Sequence, residues 1–334
     1  MKSEVVIMTL NEAGYTVDAT FEFVNEGETA SLLVGFPRWG RNGLGGDTMA
    51  KSFETWVDGE KVPVRDIPGR LTVLAHGDPP DVAGTETITD PEVIEKVTRD
   101  YEAFREMFGP RYYVELRWLA KDVVFEGGRT TTTRVRYKER YMEDMCGRRT
   151  AHYLYGTGRS WKGSIRRAQF IVRLAPGLCL ESHPACEEIT VYQPADSQPV
   201  AERLGENEFR YTLQNVEPGE NDAFFVGVYP GTEPWSTPWN ACDSFNTDRA
   251  DRPVDAELLE VLPLGQLRLL RNAFFAVHGK RFDDTELQAF FGGVEWYVPR
   301  DGFKEDALSP VQRKNVAEIA EAERRLERLI SRGN

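Results

Sequence analysis

The sequence predicts a β-rich N-terminal sandwich region, immunoglobulin-like in character and built of one or two units with one inserted helix. A small all-α module follows it at the C-terminus. Three observations carry this expectation. Residues 15–24, YTVDATFEFV, alternate so that Tyr15, Val17, Ala19, Phe21 and Phe23 share one face, the period-two signature of a half-buried strand. Turn pairs such as Asp58-Gly59 and Gly127-Gly128 separate β-favouring runs, as hairpins require. From Leu267 onward the period changes: Leu267, Leu270, Phe274 and Val277 recur at helical spacing and give one apolar stripe.

Along the chain, a first strand begins near Val5, and Asn25-Glu26-Gly27 turns the second into a strand over Ser31–Phe36. Phe53–Val57 and Lys61–Val64 flank the Asp58-Gly59 turn. One helix interrupts the β pattern: Thr89 or Asp90 caps it and Pro91 opens it. Val93, Val97, Tyr101, Phe104, Met107 and Phe108 form its apolar stripe, and Gly109-Pro110 stops it. Tyr112–Phe125 and Thr130–Tyr141 make a long ribbon. Further strands are expected near Ala168–Leu174, Glu188–Tyr192, Glu208–Leu213 and Phe224–Val228. Residues 230–253 are rich in Pro, Asn, Asp, Ser and Thr and form a linker or surface loop. The expected organisation is a β-sandwich-like domain over 1–145, a second β unit or a continuation of the first over 146–250, and a helical module over 255–334.

Within that module, Gly279 follows Val277 and His278 where a helix C-terminus needs a residue tolerating positive φ. Asp283 stands three residues before Glu286, a capping-box spacing for a short helix carrying Leu287, Phe290 and Phe291. Ser309-Pro310-Val311-Gln312 opens the last helix, which carries Val316, Ile319, Leu326 and Leu329.

Composition bounds the function. The 334 residues hold 54 Asp plus Glu against 41 Lys plus Arg, a formal charge of −13. Such a surface repels nucleic acid and anionic membranes, so neither is an expected partner. Arg148, Arg149, Arg159, Lys162, Arg166 and Arg167 are the best local basic patch, and an ordinary solvated face accounts for them. No run approaches the ~18 apolar residues of a transmembrane helix. The opening MKSEVVIMTL lacks the basic and apolar regions of a signal peptide, so the chain is either cytoplasmic or a mature form that has lost its leader.

The four cysteines leave their pairing open. Cys179 and Cys186 flank His183-Pro184 in LCLESHPACEE, where a disulfide would staple a short loop; Cys146 and Cys242 would then pair or stay as thiols. Cys179, His183 and Cys186 offer a metal only three ligands without Cys-x-x-Cys spacing, so no metal site is expected. No cofactor motif is present. Gly40–Gly46 is glycine-rich but precedes no helical pattern, and a surface loop explains it. There is no Gly-x-Ser-x-Gly, His-Glu-x-x-His, P-loop or EF-hand pattern. His76, His152, His183 and His278 are scattered; His278 either caps a helix or serves as an acid–base group near Asp283 or Asp284. Aromatic residues in loops are the better lead. Trp39 ends a strand, and Trp235 and Trp239 flank Pro238; such rings stack on ligands or pin a linker between domains, leaving an interface groove.

Arg271-Asn272, Phe275-Ala276-Val277-His278-Gly279, Phe282, Leu287, Phe290-Phe291, Trp296-Tyr297-Pro299, Leu308-Ser309-Pro310 and Asn315 follow in order the pattern of a known family. On these residues the C-terminal part resembles the YARHG domain, a small helical module of bacterial envelope and extracellular proteins. Phe275 and Val277 replace the family's tyrosine and arginine. The segment YMEDMCGRRTAHYLYGTGRSWKGSIRRAQFIVRL, with the Val24–Gly27 turn and Val34–Pro37, is similar to an uncharacterised family of exported bacterial β-domains. These resemblances imply export to the periplasm or outside, with the leader removed. The functional expectation is a non-catalytic protein binding a cell-envelope polymer or protein partner, with Trp39, Trp235, Trp239, Arg271, His278 and Trp296 as candidate binding residues. The alternatives are an envelope-directed hydrolase using a carboxylate pair on carbohydrate or peptidoglycan, and a structural subunit of an envelope assembly.

Overall fold

A computed structural model describes residues 1–41, 47–74, 86–109, 111–143, 149–180, 186–188, 201–219, 222–230, 250–294 and 296–333. In chain order the β-region runs β1 (Ser3–Asn11), β2 (Gly14–Val24), β3 (Ala30–Arg41), α1 (Asp47–Ser52), β4 (Glu54–Val57), β5 (Glu60–Lys61), β6 (Arg65–Leu74) and β7 (Glu86–Ile88). It continues with α2 (Pro91–Arg99), α3 (Tyr101–Phe108), β8 (Tyr112–Phe125), β9 (Thr130–Glu139), β10 (Met142–Glu143), β11 (Arg149–Leu154) and β12 (Ile165–Leu174). The last strands are β13 (Leu178–Leu180), β14 (Cys186–Glu188), β15 (Ala201–Arg203), β16 (Glu208–Val216) and β17 (Asp222–Pro230). Helices α4 (Ala256–Val261), α5 (Leu264–Ala276), α6 (Thr285–Gly292) and α7 (Pro310–Gly333) complete the chain. The expected β-rich region followed by helices is therefore present.

One layer is an eight-stranded sheet in the order β15-β16-β12-β1-β2-β9-β4-β5. Its centre joins distant parts of the chain, because β1 pairs in parallel with β12, Val6 lying opposite Phe170. This sheet runs straight across the soft boundary near residue 145. A parallel pair leaves no tight-turn signal, so sequence inspection has nothing local to detect. The facing layer holds a β3-β8-β6-β7 sheet and a β10-β11-β17-β13 sheet, with β14 also on β17. Between the layers, Val6, Met8, Leu10, Val17 and Ala19 meet Phe36, Leu119, Tyr153, Phe224 and Val226. Phe170 and Phe224 stack across the gap at 4.3 Å between centroids.

Two helices stand where one was expected. Asp90 caps α2, and Asp100 leaves the helix at φ −131° so that its side chain accepts from Glu102 N and Ala103 N to open α3. Ile94, Val97 and Phe104 from this pair pack on Leu71, Val73 and Tyr113. A further correction concerns the glycine-rich stretch: α1 follows it directly, although no helical pattern was expected there, and residues 42–46 lie outside the described residues.

In the C-terminal module, Asp284 and not Asp283 caps α6, accepting from Glu286 N and Leu287 N at 3.1 and 3.0 Å. Ser309 and Gln312 cap α7 reciprocally, as expected: Gln312 N donates to Ser309 Oγ and Ser309 N to Gln312 Oε1. Gly279 sits at φ +80°, and a Cβ there would meet Val298 O at 2.9 Å. The module shares one core with the sandwich, since Leu258, Leu262, Leu267 and Leu270 are buried in the same cluster as Leu174 and Leu178. Arg203, at the end of β15, donates to Glu260 O at 2.9 Å and Leu262 O at 3.0 Å. Its guanidinium thus closes the carbonyl end of α4.

The proposed Cys179–Cys186 staple does not fit the register. Cys179 lies opposite Tyr229 and Cys186 opposite Phe224, on the same side of β17. That offset places the two Cα atoms ~17 Å apart at strand rise, well beyond the ~7 Å limit for a disulfide. Cys179 is a buried thiol, and Cys146, Cys242 and His183 lie outside the described residues.

Candidate functional site

Strict alternation in β1 turns Glu4 inward beside Val6, Met8 and Leu10, where an apolar residue would be expected. Glu4 is 1% exposed. Tyr153 donates its hydroxyl to Glu4 Oε1 at 2.6 Å, while the buried Oε2 has no hydrogen-bond partner among the described residues. Burial pushes this carboxyl up to about 7, and the Tyr153 bond offsets only part of that.

The opposite wall repeats the anomaly with the other sign. Alternation in β8 turns Lys121 inward between Leu119 and Val123, and it is 5% exposed. Its ammonium donates to Thr55 Oγ1 and, at 3.2 Å, to Trp56 O, both uncharged. Burial pushes the amine down to about 8. Among the described residues no carboxylate pairs with it, and burial alone accounts for the shift.

Glu4 and Lys121 line a cleft of about 530 Å³ between the eight-stranded and four-stranded sheets. Aromatic clusters close it from two directions: Phe23 lies 4.2 Å from Trp161 and 5.6 Å from Phe125, and Phe36 lies 5.6 Å from Phe53. Thr55 and Thr133 add buried hydroxyls, and Arg70 and Arg159 also line it. The turn over Gly156–Ser160 forms one rim. Gly158 lets it press on β12, since a Cβ there would meet Ile165 Cδ1 at 2.7 Å. Leu32 and Leu33 on edge strand β3 also line the cleft and are 45% and 55% exposed, which marks its mouth.

A second cavity of about 540 Å³ lies where the sandwich meets the helical module, between Leu178, Cys179, Glu206, Arg268, Glu286 and Phe290. The groove expected from Trp235 and Trp239 involves residues outside the described ones, and among the described residues none of the linker lines this cavity. Its Arg268 is engaged with Asp284 and, at 2.9 Å, with Glu286.

Of the residues nominated from sequence, Arg271, His278 and Trp296 lie in the helical module and not in the cleft. Trp39 sits in β3 opposite Leu116. Trp235 and Trp239 lie outside the described residues. Arg271 pairs with Glu323 of α7 at 2.8 Å. His278 Nε2 lies 2.7 Å from Gln312 Oε1, so the ring nitrogen donates into the α7 cap. Trp296 is half-buried and meets Phe291 edge-on at 6.1 Å. The structure brings Arg271 and His278 together only as parts of the α5–α7 seam. Glu4 and Lys121 were missed, although one signal was present: each is a charged residue at an inward-facing position of an alternating apolar strand.

That helical seam is also where comparison with known proteins is informative. Residues 245–324 match the YARHG domain. The match covers α4, α5, α6 and most of α7, together with Asn272, His278 and Asn315. A comparison with curated proteins finds no match. Among solved structures, a candidate nutrient binding protein of Legionella pneumophila is similar at 16% identity, covering 96% of this chain and 93% of that one, with a TM-score of 0.44. A zinc metallopeptidase of Deinococcus radiodurans is similar at 10% identity over 68% of this chain, with a TM-score of 0.27. The chain spans 41% of that metallopeptidase.

Proposed function

We propose that this chain is an exported, non-catalytic binding protein of the cell envelope or the extracellular space, and that its ligand occupies the cleft between the sheets. One observation carries the reading: a cleft of ligand size holds two buried ionisable groups of opposite sign, each hydrogen bonded only to uncharged partners. A buried charge without a counter-charge lowers stability, and such costs concentrate where a site must stay open for a ligand. The match to the YARHG domain supports export and an envelope setting.

Hydrolysis by a carboxylate pair needs two acids about 5–10 Å apart. Among the described lining residues the cleft supplies one, Glu4, which favours binding over that alternative. Arg271 and His278 are committed to bonds within the helical module, so the cleft and not the module carries the proposal.

The test is native mass spectrometry of the full chain after exposure to a small-molecule extract of bacterial envelope. A Thr133→Trp variant, which places a large ring in the cleft, serves as the comparison. A bound compound retained by the unaltered protein and lost by the variant is expected. Equal retention by both would place binding elsewhere.

A further inference from the structure

Resting on the cleft as the binding site, we propose that its ligand is a monoanionic amphiphile, with the acidic head paired to Lys121 and the apolar chain between the aromatic walls. The argument begins with charge. The whole chain carries a formal charge of −13, yet the cleft lining places the Lys121 ammonium, whose described partners are uncharged, in the same cleft as Glu4. A cationic ligand would meet that ammonium as a like charge, whereas an anionic one pairs with it. Lys121 is the group best placed to receive it. The residue is 5% exposed, its described partners are the Thr55 hydroxyl and the Trp56 carbonyl, and a third N–H direction remains for a ligand oxygen.

The rest of the lining fixes the other end of the ligand. Phe21, Phe23, Phe36, Phe53, Trp118 and Trp161 give the cleft predominantly apolar walls, which a compact polar anion such as inorganic phosphate would leave unused. Leu32 and Leu33 stand exposed at the mouth, where a hydrocarbon chain would cover them. Glu4 completes the set. In its protonated form the buried Oε2, which lacks a hydrogen bond in the described structure, becomes a donor toward a ligand oxygen instead of a repelling charge.

The experiment is calorimetric titration of the full chain with dodecanoate, dodecanol and dodecylammonium, each below its micelle concentration, with Trp fluorescence as a second signal. The three share one chain and differ only in the head. Dodecanoate should bind tightest, by roughly tenfold to a hundredfold over dodecanol, the range expected of one charge-assisted hydrogen bond. In Lys121→Met that preference should vanish while dodecanol affinity is kept. The ranking on the unaltered protein does not depend on any variant folding. Dodecanol or dodecylammonium binding as well as dodecanoate would overturn the inference and leave the cleft as a site for another class. A dodecanoate preference that survives in Lys121→Met would overturn the placement of the head. If none of the three binds, the inference falls, and the envelope-extract experiment decides separately whether the cleft reading falls with it.

Discussion

Tyr153 Oη lies 2.6 Å from Glu4 Oε1, a bond that ties the five-stranded sheet to the eight-stranded one across 149 residues of chain. Its acceptor, Glu4, lines the cleft. The bond favours the ionised carboxylate, but taking that carboxylate out of water opposes ionisation more strongly, and burial wins. On the other side, the carboxylate pushes the Tyr153 hydroxyl well above the usual phenol range, together with burial as the largest cause. Tyr153 therefore stays a donor at all ordinary pH values.

The Glu4 shift has a definite pH signature. Its folded-state value of about 7 lies above the ordinary 4.5, so the protonated form is favoured in the fold. The associated stability is fully present below about pH 4.5 and is lost as pH rises through 7. Glu4→Gln keeps the shape and cannot ionise. Relative to the unaltered chain, it should gain about 3 kcal/mol of unfolding free energy between pH 4.5 and pH 8. Urea unfolding at the two pH values measures this, and a difference that does not change with pH would contradict the assigned burial.

Lys121 titrates with the opposite sign. Its folded-state value of about 8 lies below the ordinary 10.5, so stability is present above pH 10.5 and is lost as pH falls through 8. Lys121→Met should therefore be neutral or stabilising at pH 7, by ~1–4 kcal/mol, as replacement of buried charge by apolar volume often is. Thermal unfolding at pH 7 and pH 10 reads it, and the advantage of the variant should shrink at the higher value. A variant less stable at pH 7 than at pH 10, each against the parent, would show that the ammonium has a counter-charge.

What the sequence disclosed follows from how local each cause is. The Tyr15–Phe23 alternation and the Ser309–Gln312 capping box involve residues a few positions apart, and both stand as expected. Asp100 was readable in principle as a second cap, but the apolar stripe from Val93 to Phe108 runs across it and masks the break. The β1–β12 pairing has no local trace at all, and without it the chain divides naturally near residue 145. The cleft was harder still. Glu4 is buried because Tyr153 and β12 arrive from far along the chain, and in SEVVIMTL it passes for an exposed first residue of a strand. Lys121, within LAKDVV, passes for a solvated cation in the same way until β4 covers it with Thr55 and Trp56.

Arg203 is predicted to hold the helical module to the sandwich. Besides Glu260 O and Leu262 O, it donates to Gly205 O at 3.1 Å and Glu206 O at 2.7 Å, and it lies 5.1 Å from the Phe209 ring. Burial lowers its basicity to about 10, so it is charged at neutral pH and serves four carbonyls at once. Arg203→Met keeps the stem and removes these donors, at a cost of ~1–3 kcal/mol. Hydrogen exchange should rise over α4 first and over α7 least. Uniform acceleration through the whole module would show that Arg203 supports stability without anchoring α4 in particular.

Asn315 offers the sharpest test of how the YARHG-matching segment is wired. It is fully buried at 0% exposure, an unusual place for an amide unless every polar atom is used. Its Nδ2 donates to Arg252 O at 2.7 Å, and its Oδ1 accepts from Val254 N at 3.0 Å, so one side chain on α7 grips two backbone groups of the segment that leads into α4. Ser309 reinforces the same approach through Asp251, at 2.8 Å. Asn315→Ala leaves a buried carbonyl and a buried N–H without partners, which should cost roughly 2–5 kcal/mol in sum. Asn315→Asp keeps the acceptor for Val254 N, loses the donor to Arg252 O and buries a charge, so it should be no better than the alanine at pH 7 and should recover as the pH is lowered and the acid regains a donor. Lys314→Ala, one position earlier on the exposed face, serves as the control and should change the melting temperature little. Equal melting temperatures for Asn315→Ala and Lys314→Ala would mean that α7 does not hold the entry segment through Asn315.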